Sequence, residues 1–222
     1  MYQMHDNPAP YIDHTLLAPD ATEEQILALC KDAMQYRFAS VCVNPVWVKL
    51  AAQTLRGSGV KVATVIGFPL GATSTQAKVA ESQIALQDGA DELDMVVQIG
   101  MVKGRQLQQV QDDIAAVVST GAKVVKVILE TCKLTDDEIV AATKCAVRAG
   151  AHFVKTSTGF GGGGATEHDV RLMRANCENL QVKASGGIRD LDTAEKMLVA
   201  GATRLGTSSG VKIVQQWLDL QK

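Results

Sequence analysis

Four times along this 222-residue chain a Gly-Ala pair stands between a helical stretch and a short apolar run: Gly89-Ala90, Gly121-Ala122, Gly150-Ala151 and Gly201-Ala202. Glycine is the residue that takes the left-handed turn ending a helix, so each pair marks a tight helix-to-strand loop. Gly59 before Val60 looks like a variant of the same device. The runs that follow are rich in Val, Ile and Leu, as expected for parallel strands covered on both faces.

Eight strands are predicted, at 11–14, 39–43, 61–67, 92–97, 123–130, 153–157, 181–185 and 204–207. Helices start between them: Thr22-x-x-Gln25, Thr135-x-x-Glu138 and Thr166-x-x-Asp169 resemble capping boxes, and Asp192 can cap a helix running through Met197. Eight strands alternating with helices in this length predict an α/β fold, a closed (β/α)8 or TIM barrel, rather than an open doubly wound sheet. Apart from the glycine run Gly161 to Gly164, no linker, charge block or low-complexity stretch divides the chain. Residues 1–222 are therefore expected to form a single catalytic barrel domain.

Bulk properties exclude several function classes. A net charge of −2 gives no electrostatic reason to bind nucleic acid or an anionic membrane. The N-terminus lacks a basic segment followed by an apolar one, and no apolar run is long enough to span a bilayer. The five cysteines (Cys30, Cys42, Cys132, Cys145, Cys177) are widely spaced and odd in number, which suits free thiols in a reducing cytoplasm. His5, His14, His152 and His168 lack ligand spacing, so no metal is expected.

In such a barrel the chemistry lies at the carboxyl ends of the strands. Lys155 and Lys183 close the sixth and seventh, in Val154-Lys155-Thr156-Ser157-Thr158-Gly159 and Val182-Lys183-Ala184-Ser185-Gly186-Gly187. A lone lysine there would reach solvent or pair with a carboxylate. Two on successive strands are close in space, and at about 4 Å with an effective dielectric of about 20 their repulsion is roughly 4 kcal/mol. That suffices to bring one amine from about 10.4 to near neutrality, free to attack a carbonyl. The residues do not say which lysine is the nucleophile.

Asp94 shares a strand face with Glu92, and a carboxylate so deep needs a partner such as Lys126 or Lys183. Asp13 and His14 close the first strand, Cys42 and Asn44 the second, Lys126 and Glu130 the fifth. Cys42 reads as a buried small hydrophobe, and His14 and His152 as core or rim residues. Gly159 to Gly164 matches G-x-G-x-x-G in form but follows the sixth strand, and the next strand ends in Lys183 rather than an acid. The simpler reading is a phosphate grip shared with Ser185-Gly186-Gly187 and Gly206-Thr207-Ser208-Ser209-Gly210. A phosphosugar isomerase, another Schiff-base lyase, a non-catalytic phosphosugar-binding protein and a dinucleotide-dependent oxidoreductase remain as rivals.

Phe153-Val154-Lys155-Thr156-Ser157-Thr158-Gly159, Val182 to Arg189 and Asp91-Glu92-Leu93-Asp94-Met95-Val96 resemble the deoxyribose-phosphate aldolase family. Ile12 to Leu17, Val41-Cys42-Val43-Asn44-Pro45 and Gly67-Phe68-Pro69-Leu70-Gly71 fit it too, so the resemblance spans nearly the whole chain. It implies a class I aldolase without metal or other cofactor. The reaction implied is interconversion of 2-deoxy-D-ribose 5-phosphate with D-glyceraldehyde 3-phosphate and acetaldehyde, in deoxyribose phosphate catabolism. By the match, Lys155 is the Schiff-base lysine, Lys183 the neighbour that lowers its pKa and moves protons, and Asp94 the proton donor and acceptor. Asp13, Thr15, Lys126 and Thr158 support them, and Gly159, Gly186, Gly187, Gly206, Ser208 and Ser209 hold the phosphate. Some members carry a lysine after Thr-Ser-Thr-Gly; Phe160 stands there in this chain, which shifts phosphate binding to backbone amides and the two serines. Substrates are expected to be small phosphorylated sugars and aldehydes, and the assembly a cytoplasmic homo-oligomer, dimer or tetramer.

Overall fold

The computed structural model describes residues 3–222. Its first half runs β1 (Ile12–Leu16), α1 (Glu23–Tyr36), β2 (Ser40–Val43), α2 (Val48–Thr54), β3 (Lys61–Ile66), α3 (Thr75–Gln87), β4 (Glu92–Val96), α4 (Ile99–Lys103) and α5 (Leu107–Val118). The second half runs β5 (Val124–Ile128), α6 (Asp136–Arg148), β6 (Phe153–Lys155), α7 (Glu167–Asn176), β7 (Gln181–Ser185), α8 (Leu191–Val199), β8 (Arg204–Thr207) and α9 (Gly210–Asp219). Each strand pairs in parallel with its sequence neighbours, and β8 returns to β1, closing the (β/α)8 barrel.

The local signals act as read. Gly59, Gly89, Gly121, Gly150 and Gly201 all have φ between +75° and +116°, the backbone that turns a helix end into the next strand. Thr22 and Thr135 form reciprocal capping boxes with Gln25 and Glu138. Thr166 caps α7 by accepting from the Asp169 N–H, without the return bond. The cap of α8 is Asp190, not Asp192: Asp190 accepts from the Thr193 N–H at 2.9 Å. Buried Leu191 opens that helix, so Asp192 falls inside the first turn and pairs with Lys196 instead.

β5 and β6 are shorter than expected. Backbone pairing continues past them, with Leu129 N–H to Lys155 O and Thr156 N–H to Lys183 O. Glu130 then turns into left-handed backbone, φ 57°, and stops the strand.

Strand alternation divides the side chains into two sets. Ile12, Val41, Val62, Leu93, Met95, Val125, Val127, Val154, Val182 and Leu205 face outward and form the main apolar core with the helices. Inside the barrel, the apolar cluster is small: Cys42, Ala63 and Val65, with Leu17 and Phe68 packed on it. Beside Val96, Ile128 and Phe153, the interior also carries a cluster of charged side chains, and that inversion positions the site.

Candidate active site

Register places the key groups. Lys155 lies opposite Lys183 across β6 and β7, and Asp94 lies opposite Lys126 across β4 and β5. All four side chains turn inward. Asp94 sits mid-strand, deeper than a strand-end residue, and its two oxygens hold three lysines. Oδ2 accepts from Lys155 Nζ and Lys183 Nζ, each at 2.7 Å, and Oδ1 from Lys126 Nζ at 2.7 Å. Lys183 is also ion-paired to Asp13, and Lys126 to Glu92 at 2.6 Å. Arg204 closes the network from β8: its Nε donates to Asp13 at 2.7 Å, and its Nη2 to Glu92 at 2.9 Å.

Charge counting and geometry then choose among the lysines. With every group ionised, Lys126, Lys155, Lys183 and Arg204 face only Asp13, Glu92 and Asp94, leaving one excess positive charge inside the barrel. Burying unbalanced charge is expensive, so loss of one proton relieves the site. Lys155 is the group whose charge the site supports least. Burial, above all, and Lys183 hold its pKa below the ordinary lysine value despite the attraction of Asp94. Lys183 behaves oppositely: burial opposes its charge, but Asp13 and Asp94 raise its pKa above the usual value. The expected mutual depression is thus one-sided, because Lys183 has a carboxylate of its own and Lys155 shares one. Burial would raise Asp94, but Lys126, Lys155 and Lys183 hold it well below the usual carboxylate range.

Access makes the same choice. Lys155 lines a cleft of about 490 Å³ at the carboxyl ends of the strands, together with Thr15, Thr158, Gly159, Phe160, Gly186, Gly187, Gly206 and Ser208. Lys126 and Lys183 are completely buried beneath it. Gly206 leaves room for Lys183, since a Cβ there would lie 3.0 Å from the lysine Cε. Ser209 faces elsewhere, lining a separate depression with His14, Asp32 and Lys212, and its N–H is taken by the Thr207 hydroxyl at 2.9 Å. The hydroxyl of Thr15 donates to the Asp13 carbonyl, and that of Thr158 to Glu130.

The remaining candidates are structural. Burial pushes the Cys42 thiol up, away from nucleophile character. The Asn44 amide donates to Leu17 O at 3.2 Å, and His152 Nδ1 accepts from the Val125 N–H. His14 lies against Phe38 and within 3.7 Å of Asp32. Among the described residues, no three His, Cys, Asp or Glu side chains converge into a metal site.

Four residues were given no role by the sequence. Glu92 and Arg204 complete the charge network, and their signal was present: each is a charged residue opening a strand with a buried face. Arg189 is exposed and lines the cleft, where it is the one basic side chain besides Lys155 among the lining residues. Glu130 is buried under the loop that follows Lys155.

Residues 9–216 match the profile of the DeoC/LacD family of aldolases. The deoxyribose-phosphate aldolase of Geobacillus sp. (strain WCH70) is 56% identical over 215 residues, 96% of this chain and 96% of that protein. That of Streptococcus gordonii is 58% identical over 207 residues, 92% of this chain and 94% of its own. The tetrameric deoxyribose phosphate aldolase of Aeropyrum pernix superposes with a TM-score of 0.89 at 37% identity, covering 96% of this chain and 92% of that one.

Proposed function

The chain belongs to the DeoC/LacD family of aldolases, and from that premise we propose that Lys155 is the amine that forms the imine in its reaction. The activity is a carbon–carbon lyase: reversible cleavage of 2-deoxy-D-ribose 5-phosphate to D-glyceraldehyde 3-phosphate and acetaldehyde. One observation carries the assignment of Lys155. It is the only amine of the buried network that reaches the cleft, and its pKa is lowered where that of Lys183 is raised.

Neutral Lys155 adds through Nζ to C1 of the open-chain sugar and expels water, giving a protonated imine. The imine draws electrons, so once the C3 hydroxyl loses its proton the C2–C3 bond breaks and its electron pair moves towards nitrogen. Glyceraldehyde 3-phosphate leaves, and the enamine of acetaldehyde stays on Lys155. A proton delivered to C2 restores the imine, and hydrolysis frees acetaldehyde. Asp94 Oδ2, 2.7 Å from both amines, takes the C3 hydroxyl proton, directly or through a water; protonated Lys183 gives a proton to C2 and regains one from Asp94. Lys126, Asp13 and Arg204 hold this bridge of Asp94 and Lys183 in place.

The phosphate takes the far end of the cleft, against Gly159, Gly186, Gly187, Gly206 and Ser208, with Arg189 supplying a cation where Phe160 supplies none. Ser209 contributes least, because its N–H is already spent. Holding the phosphate there fixes C1 beside Lys155, so remote binding energy serves the reaction.

Residues 1–222 act as one catalytic domain. All five cysteines are free, which fits a reducing cytoplasm, and among the described residues no helix is long and apolar enough to cross a membrane. The chain works as a homo-oligomer. Leu70 and Ile84, 71% and 60% exposed, flank an apolar depression floored by Phe68 and Pro69, the kind of surface a second copy covers.

Borohydride trapping with acetaldehyde, followed by peptide mapping, tests the central assignment. A reduced adduct on Lys155 is expected. An adduct on Lys183 reverses the two roles, and none at all removes imine chemistry.

A further inference from the structure

Glu130 is used by no step above, yet several features converge on it. It is 2% exposed and takes left-handed backbone, φ 57°, unfavourable for a residue with a side chain. Its Oε1 accepts the Thr158 N–H at 3.2 Å, and its Oε2 accepts the Thr158 hydroxyl in a short bond. The Thr158 hydroxyl oxygen in turn accepts the Phe160 N–H at 3.0 Å. The following loop lies so close that a Cβ on Gly161 would sit 2.7 Å from the Glu130 carboxyl carbon.

This chain of bonds engages the N–H groups on either side of Gly159 and leaves the one between them. Among the described residues the Gly159 N–H has no hydrogen-bond partner, and Gly159 lines the cleft. We infer that Glu130 is a positioning residue: acting through Thr158, it fixes the turn Thr158-Gly159-Phe160 so that the Gly159 N–H is presented to the substrate's phosphate. A carboxylate suits the task because it can only accept, which fixes the Thr158 hydroxyl as donor to it and as acceptor to Phe160. The inference rests on the reading that this cleft holds the phosphate.

Two variants test it. Glu130→Ala removes the anchor, and Thr158→Val removes the hydroxyl while keeping the side-chain shape. Each is assayed for kcat/KM on 2-deoxyribose 5-phosphate and on unphosphorylated 2-deoxyribose, and for inhibition by inorganic phosphate. The ratio of the two kcat/KM values is expected to fall about tenfold in each variant, as for one lost hydrogen bond to a charged group. Inhibition by inorganic phosphate weakens in parallel. The double variant is expected to lose no more than Glu130→Ala alone, because both act through one clasp. A role in folding alone would lower both activities together and leave the ratio unchanged, which overturns the inference. Should Glu130→Ala not fold, Thr158→Val decides. If inorganic phosphate does not compete with substrate in the unmodified enzyme, the reading of the cleft fails first and the inference with it.

Discussion

Replacing Asp94 by asparagine separates imine formation from turnover. The Asp94 carboxylate lies 2.7 Å from Lys155 Nζ and keeps it more basic than burial alone would. At an effective dielectric of about 20, that attraction amounts to about 6 kcal/mol, an upper bound because an amide retains part of the dipole. Without it, the charged form of Lys155 is less favourable, and the excess positive charge inside the barrel grows from one to two. Lys155 therefore titrates at lower pH in the variant, and more of it is neutral at any given pH.

The expected result has two halves. Borohydride trapping of acetaldehyde, followed by intact mass across pH, still gives a Lys155 adduct. Its midpoint moves down by at least about one pH unit, which about 1.4 kcal/mol of the lost attraction would produce. Retro-aldol turnover, by contrast, falls about 100-fold or more, because the proposed proton bridge to the reacting carbon is gone. Substrate binding, measured as protection from thermal unfolding, persists. A midpoint moving up would refute the electrostatic account. Turnover within a few-fold of the unmodified enzyme would refute Asp94 as the proton bridge.

Lys155→Ala is expected to reduce cleavage at least about 1,000-fold and to abolish trapping, as removal of a covalent nucleophile requires; a steady-state cleavage assay checks it. Gly206→Ala puts a Cβ 3.0 Å from Lys183 Cε and 2.9 Å from Ser185 Cβ, so kcat should fall with the fold intact by circular dichroism. Acid should destabilise the protein through Asp13 and Asp94, both held below the ordinary carboxylate pKa by their cationic neighbours against the cost of burial. Their stabilisation is present above the unfolded value of about 3.9 and is lost as pH falls below it towards the folded values, so urea midpoints should drop steeply below about pH 4.

The barrel was legible because its signals are local. A glycine ending a helix, a threonine three residues before a glutamine, and a run of β-branched residues each act within a few positions of themselves. The pairing of Lys155 with Lys183 was legible for a similar reason, since adjacent parallel strands bring equivalent positions together. What sequence did not reveal is who meets whom across the barrel. The pairing of Asp94 with Lys126 or Lys183 was the exception, and it holds both; Asp13 and Arg204 are 191 residues apart, and no periodicity links them. That is why repulsion between the two lysines looked symmetric. Asp13 breaks the symmetry, and alternation could place it inward but could not name its partner. The same limit hid the Glu130 carboxylate that accepts the Thr158 hydroxyl.

The charged interior also bears on the proposed imine step at Lys155. With Lys155 neutral, the four basic and three acidic groups balance. Forming the protonated imine restores the excess positive charge at the position nearest the cleft. Asp94, fixed 2.7 Å from that nitrogen, makes the charge tolerable. Lys183, kept protonated by Asp13, prevents it from becoming comfortable. Carbon–carbon cleavage converts the imine to an uncharged enamine and moves the excess positive charge off that nitrogen, to the group that takes the C3 hydroxyl proton. An interior of fixed charges thus favours the state in which electrons have moved onto Lys155, without having to reorganise as they move. An apolar barrel lining would leave the amine neutral just as readily. It would lack both the anion that lets the imine form and the neighbouring cation that drives it onward.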